Sequence, residues 1–228
     1  MTDYPNIAPV AALLAEPARA AMLVALLAGR ALPAGELAFL AGVSPQTASS
    51  HLGKLVEGHL LAVEAHGRHR YYRLSGSPVA HAVEALAAVA PLPERRTPRP
   101  DERAQELRYA RTCYDHLAGH LGVQVTEALL GLGVLAQQES GYEVSPAGQG
   151  WLSGFGVDVA ALRPGRRPLA RPCLDWSERR PHLAGALGQA LLTRLLELEW
   201  MVRIPGGRAL RVAQAGRRGL LSTLALRL

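Results

Sequence analysis

Lysine is almost missing from this 228-residue chain: of 25 basic residues only Lys54 is not arginine, a bias that reads as genome base composition rather than chemistry. Cysteine is nearly as scarce. Cys113 and Cys173 are too few for a disulfide scaffold, which leaves them one redox pair or a share in one site. No apolar run approaches the roughly 20 residues that span a bilayer. The opening Met-Thr-Asp-Tyr-Pro-Asn lacks the basic and apolar regions of a signal peptide, so a cytoplasmic chain with no membrane partner is expected. Residues 101–228 also lack a Gly-rich strand-to-helix loop with a following acidic residue, a G-x-S-x-G and an H-E-x-x-H, so the chain is not expected to be an enzyme.

Positive charge is present but poorly placed for a simple electrostatic story. The formal charge of +6 suits an anionic partner, yet residues 1–90 hold six Lys/Arg and six Asp/Glu, so the whole excess lies in 91–228. Local motif, not net charge, must therefore carry any argument about a partner. The apolar share of 49% can build one large or two small cores. Pro91–Pro100 carries four prolines and three arginines in ten residues and reads as a linker. The expected division is 1–90, a linker over 91–102, and 103–228.

Val43–Leu74 is the most informative stretch. Ser44 is a good N-cap, since its side-chain oxygen can accept from an orphan backbone N–H, and Pro45 suits the first helical position because it has no N–H to lose. Ala48, Leu52 and Leu55 recur at helical spacing and define a buried stripe. That leaves Gln46, Thr47, Ser49, Ser50 and Lys54 on other faces. After Gly58, Leu60–Glu64 and His69–Leu74 read as a hairpin about His66-Gly67-Arg68, with Arg68, His69 and Arg70 at a basic tip. A helix with hydrogen-bonding side chains on its leading turns can read base edges in a major groove, while a basic hairpin beside it neutralises phosphate.

This stretch resembles the ArsR family of bacterial transcription regulators. Val43, Ser44, Thr47, Ser49, His51, Leu52 and Leu55 match that family's recognition helix, and Gly67, Arg68, Tyr71, Tyr72 and Leu74 match its wing. The resemblance covers about residues 7–90. It implies a homodimeric winged helix-turn-helix repressor that contacts a pseudo-palindromic operator in double-stranded DNA through Ser44, Gln46, Thr47, Ser49, Ser50, His51, Lys54, Arg68, His69 and Arg70. Ile7–Ala15 and Pro17–Ala28 are the leading helices, Pro33–Ala41 the first helix of the helix-turn-helix with Gly42 as its turn, and Pro78–Ala90 the pairing helix. Leu13–Arg19 resembles a family segment whose arginine lies near phosphate, although Arg19 reads equally well as a surface charge. The family's Cys-x-Cys metal box is replaced by Glu36–Leu40, which excludes a thiolate sensor there. Of a second family zinc site only His81 and Glu84 remain, and they read as a solvated face.

The remaining half contains an internal repeat. His116–Gly122, H-L-A-G-H-L-G, aligns with His182–Gly188, H-L-A-G-A-L-G, and nine of twenty positions are identical from 116 to 135 at an offset of 66. Leu129-Leu130 then matches Leu195-Leu196, and Ala147-Gly148 matches Ala215-Gly216 after two inserted residues. Each copy, about 110–160 and 176–228, reads as a helix pair, a hairpin and a closing helix. Neither shows a polar, capped face like that at Ser44. The expected fold class is mainly α with small β-hairpin wings: a winged helix-turn-helix followed by two winged-helix-like repeats.

Cys113, His116 and His120 fall at i, i+3 and i+7, which on a helix is one face, and Cys173, Asp175 and His182 precede or open the second copy. Three readings stay open. The cysteines are inert buried groups; or the two sets converge as a sensor, through a thiol redox switch or a zinc-like ion held by two thiolates and two imidazoles; or Tyr109, Tyr114, Trp151, Trp176 and Trp200, with Arg179 and Arg180, line a pocket for an organic effector. The expected function is operator binding modulated through residues 103–228 by an effector the sequence does not specify. The rivals are a winged-helix interaction adaptor without operator preference and, further off, a regulator fused to a catalytic domain.

Overall fold

The computed structural model describes residues 5–66, 69–91, 102–139, 141–162 and 167–228, the side chains of His66, His69 and Arg103 aside. Arg68 and most of the linker therefore lie outside the described residues. The chain divides into two compact units, Met1–Leu86 and Ala87–Leu228.

The first unit opens with α1 (Ala8–Leu14) and α2 (Pro17–Ala25), the latter capped by the Glu16 carboxylate, which accepts from the N–H groups of Ala18 and Arg19. A 3₁₀ turn ends at Gly29, whose φ of 81° suits a residue without a Cβ. β1 (Leu32–Pro33) leads into α3 (Ala34–Ala41), which stops at Gly42 in the left-handed region. α4 (Pro45–Glu57) begins at the expected cap: the Ser44 hydroxyl accepts from the Thr47 N–H at 3.1 Å. β2 (Leu61–His66) and β3 (His69–Leu74) form the hairpin, with Val63 opposite Tyr72. β1 adds to its β3 edge through Leu32 and Tyr72, a pairing too short to leave a periodic signal in sequence. α5 (Ser77–Val89) follows. Met22, Leu23, Leu37, Ala48, Leu52, Leu55 and Leu61 form the core, so the stripe read on α4 is its buried face.

Arg19 answers to neither expectation. It is buried, and its guanidinium donates to the carbonyls of Leu13 at 2.7 Å and Ala12 at 2.9 Å. Those carbonyls end α1 and have no intrahelical partner, so the arginine caps a helix C-terminus instead of meeting phosphate or solvent.

In the second unit, α6 (Glu102–Tyr109) is followed by β4 (Arg111–Cys113), β5 (His116–Ala118), α7 (His120–Gly131), β6 (Leu135–Gln138), β7 (Gly141–Val144) and α8 (Pro146–Gly154). The same order returns as β8 (Arg171–Leu174), β9 (Pro181–Ala184), α9 (Ala186–Glu197), β10 (Met201–Arg203), β11 (Leu210–Val212) and α10 (Gln214–Leu224). Each half is thus hairpin, helix, hairpin, helix rather than a helix pair with a hairpin, and the second begins near Arg171 rather than 176.

The helix expected to carry Cys113, His116 and His120 is instead the tight hairpin β4–β5, turning at Tyr114 (φ 59°) and Asp115. All six of its strand residues are buried. A strand buried on both faces has no polar alternation, and over so short a run a three-residue spacing cannot tell helix from hairpin. Ser145 supplies a further correction, because its hydroxyl accepts from the Gly148 N–H at 2.8 Å and caps α8 as Ser44 caps α4. α8, however, follows its hairpin, whereas a recognition helix precedes its wing.

The repeated glycines have a packing role. A Cβ on Gly122 would meet the Leu117 carbonyl oxygen at 2.7 Å, and one on Gly188 the Leu183 oxygen at 2.5 Å, each also facing the Cβ of the other half's histidine, His182 or His116. Gly148 and Gly216 lie in the same way against the carbonyls of Val134 and Trp200. The core of this unit draws Leu117, Leu121, Leu129, Leu152, Leu183, Leu187, Leu195 and Leu220 from both halves.

Candidate functional site

On α4 the buried stripe of Ala48, Leu52 and Leu55 turns Gln46, Thr47, Ser49, Ser50 and Lys54 into solvent. The Thr47 and Ser44 hydroxyls are 2.8 Å apart, so the cap also orders the Thr47 side chain of the polar face. His51 stands apart from that set. Its ring is 16% exposed, with Nδ1 3.6 Å from the Glu16 carboxylate. On the wing, Arg70 is exposed, while Arg73 pairs with Glu64 across the hairpin. The side chain of His69, like all of Arg68, lies outside the described residues.

The second unit contains a buried cluster. Cys113 lies opposite His116 in β4–β5, and Cys173 opposite His182 in β8–β9, so each hairpin pairs one thiol with one imidazole. The two hairpins meet. One ligand-type atom from each of the four side chains lies within 4.8 Å of the other three, and the Nε2 atoms of His116 and His182 are 3.2 Å apart. Both imidazoles and the Cys113 side chain are buried; Cys173 is half-buried, and the two thiols are not joined in a disulfide.

Each imidazole is held from behind by a carboxylate of its own hairpin. Nδ1 of His116 lies 3.2 Å from Asp115, and Nδ1 of His182 lies 3.2 Å from Asp175. Each aspartate is in turn neutralised by an arginine from the other half. Arg111 donates to Asp175 at 2.8 Å with its guanidinium over the Trp176 ring, and Arg167 donates to Asp115 at 2.5 and 2.8 Å. Asp175 also accepts from the Gly119 N–H at 2.7 Å and the Ser177 hydroxyl at 2.7 Å. Burial alone would raise its pKa, but the His182 ring, the Arg111 charge and these donors outweigh burial and hold the carboxyl well below the ordinary carboxylate range. Burial would likewise raise Asp115, and hydrogen bonds from Arg167 and His116 lower it. For His182, burial favours the neutral ring and is outweighed by Asp175 and Cys113, which raise its pKa.

Of the residues singled out in the sequence, Cys113, His116, Cys173 and His182 converge, and Asp175 stands directly behind them. His120 does not join. It opens α7, exposed, with Nδ1 3.0 Å from Glu178. Arg111, Asp115 and Arg167 were not anticipated; the signal available was the Cys-x-Asp spacing shared by Cys113–Asp115 and Cys173–Asp175. The aromatic residues disperse rather than line one pocket. Trp151, Phe155 and Trp200 pack on one another, Trp176 covers Arg111, and Tyr114 is exposed.

A polar, side-chain-capped helix followed directly by a two-stranded wing makes the first unit a winged helix-turn-helix. Residues 14–64 match a family model described as a helix-turn-helix domain. Over 213 residues, 93% of this chain and 94% of the relative, the sequence is 49% identical to the uncharacterized HTH-type transcriptional regulator YdfF of Bacillus subtilis (strain 168). The chain therefore belongs to the HTH-type transcriptional regulators, with the ArsR-like winged helix-turn-helix that Val43–Leu74 resembles. Among solved structures it is similar to the transcriptional repressor BigR from Xylella fastidiosa, at 25% identity and a TM-score of 0.35 over 38% of this chain and 88% of that one. It is also similar to the homodimeric winged helix-turn-helix DNA-binding domain of Mb0332 from Mycobacterium bovis, at 27% identity and a TM-score of 0.35 over 43% of this chain and all of that fragment.

Proposed function

We propose that this regulator acts as a homodimeric repressor. Two α4 helices read a pseudo-palindromic operator whose half-sites lie about one helical turn apart, and the second unit modulates the binding. One observation carries the reading: the exposed face formed by Gln46, Thr47, Ser49, Ser50 and Lys54, backed by a fully buried stripe on the same helix. Gln46, Thr47, Ser49 and Ser50 can donate to and accept from base edges, whereas Lys54 on α4 and Arg70 on β3, with Arg68 near it in sequence, supply phosphate neutralisation. A dimer is the form that fits a two-fold operator, because two copies of one helix read two half-sites related by the same symmetry. Modulation requires that an effector bind the DNA-competent and incompetent states with unequal affinity.

The test is fluorescence anisotropy on DNA upstream of the protein's own gene, against random duplex, over a series of salt concentrations. Thr47→Ala is expected to lower operator affinity while leaving random-DNA affinity nearly unchanged, by about 1–3 kcal/mol of discrimination. Arg70→Ala is expected to weaken both and to reduce the salt slope by about one. Equal losses on operator and random DNA for Thr47→Ala would remove α4 from base reading, and a wild type with no preference would favour an interaction adaptor.

A further inference from the structure

We propose that Cys113, His116, Cys173 and His182 form a closed, four-ligand tetrahedral site for a borderline-soft divalent cation of the zinc class, which fastens the two hairpins of the second unit together. The inference rests on this unit alone and stands independently of how the first unit meets DNA.

Geometry is the first support. Metal–nitrogen bonds of about 2.0–2.1 Å in a tetrahedron place two nitrogens about 3.3–3.4 Å apart, and the two Nε2 atoms are 3.2 Å apart. Metal–sulfur bonds of about 2.3 Å give a sulfur–sulfur edge of about 3.8 Å, and all four donor atoms already lie within 4.8 Å of one another.

Orientation of the imidazoles is the second. Each Nδ1 lies 3.2 Å from a carboxylate, a placement that favours the tautomer protonated on Nδ1 with the Nε2 lone pair toward the centre of the cluster. The two Nε2 atoms, 3.2 Å apart, are close enough to share one proton in a hydrogen bond or to ligate one cation between them. A carboxylate behind a ligating histidine is also the arrangement that fixes its ring and raises its basicity.

Charge balance is the third. Asp115 and Asp175 are already matched by Arg167 and Arg111, so neither carboxylate is left to balance a cation at the centre. Two thiolates and two neutral imidazoles around a dication then sum to zero, as a buried site requires. Binding releases the two thiol protons to solvent. Two sulfurs with two nitrogens favour zinc-type ions over calcium or magnesium, which take oxygen, and four protein donors leave no open position for catalysis. Because each half supplies one thiol and one imidazole, neither half can hold the ion without the other.

The experiment titrates the full-length protein, reduced and stripped by a chelator under anaerobic conditions, with Co²⁺ alone. One cobalt per chain is expected, with the intense visible bands of tetrahedral cobalt and a near-ultraviolet thiolate charge-transfer band, both bleached by one equivalent of Zn²⁺. Cys113→Ser and Cys173→Ser should each remove about half of the charge-transfer intensity. His116→Gln should weaken cobalt binding by at least about tenfold, and His120→Ala should change nothing. Octahedral cobalt without charge transfer, or a tetrahedral spectrum that survives Cys113→Ser/Cys173→Ser, would overturn the assignment. If the cysteine variants do not fold, alkylation of the wild type decides: Zn²⁺ should slow modification of both thiols, and unchanged rates would refute the site.

Discussion

His116 and His182, 66 residues apart in sequence, face each other through Nε2 atoms 3.2 Å apart while their Nδ1 atoms rest on Asp115 and Asp175. The two carboxylates do the same work in different surroundings. Asp175 and its partner Arg111 are almost wholly buried, at 0% and 1% exposure, whereas Asp115 and Arg167 are 20% and 36% exposed.

That contrast predicts unequal mutational costs. In chelator-treated protein, Asp175→Asn leaves the Arg111 charge buried without its carboxylate and should destabilise the second unit by about 3–5 kcal/mol. Asp115→Asn breaks a pair that solvent partly screens and should cost about 1 kcal/mol or less. Urea unfolding followed by tryptophan fluorescence checks the ordering, since all three tryptophans lie in this unit. Equal costs would mean that burial does not decide the worth of these pairs.

The close approaches at Gly122 and Gly188 predict that alanine there destabilises by about 1–3 kcal/mol, because the clashing atoms are backbone carbonyls that cannot rotate away. Gly150, inside α8, has nothing within 4 Å of the position its Cβ would take. Gly150→Ala should therefore stabilise by about 0.5–1 kcal/mol through helix propensity alone. Opposite signs in thermal unfolding are the expected result.

Arg19 separates stability from DNA contact. Because its guanidinium is spent on the Leu13 and Ala12 carbonyls, Arg19→Ala should lower the stability of the first unit by about 1–3 kcal/mol. The salt slope of DNA binding by the folded fraction should stay unchanged. A slope reduced by about one would restore the arginine to phosphate.

Glu16 gives a pH dependence. Its carboxylate accepts from the Arg19 N–H, the main reason its pKa lies below the ordinary 4.5, and burial opposes this only in part. A depressed carboxylate contributes its full stability above the unfolded value and loses it as pH falls through the lower folded value. The denaturation midpoint of the first unit should thus decline below about pH 4.5, and less steeply in Glu16→Gln. Identical pH profiles for the two proteins would exclude a role for the cap.

The sequence by itself determined the first unit closely. Ser44, Pro45 and the Ala48, Leu52, Leu55 stripe specify α4 through contacts within a few residues, and such local terms leave a readable period. It also marked Gly122 and Gly188, at the recurring H-L-A-G-x-L-G spacing, and each lies where a Cβ would meet a backbone carbonyl. Tertiary structure alone decided the rest. A three-residue strand buried on both faces carries no period, so Cys113 and His116 read as one helix face until the hairpin pairing set them opposite each other. The meeting of Cys113 and His116 with Cys173 and His182, and the exchange of Arg111 and Arg167 between halves, depend on packing between segments more than 50 residues apart, which no local pattern records. Arg19, which reads in sequence as either a phosphate contact or a surface charge, instead caps carbonyls only six and seven residues away, because the turn between α1 and α2 brings them to its guanidinium.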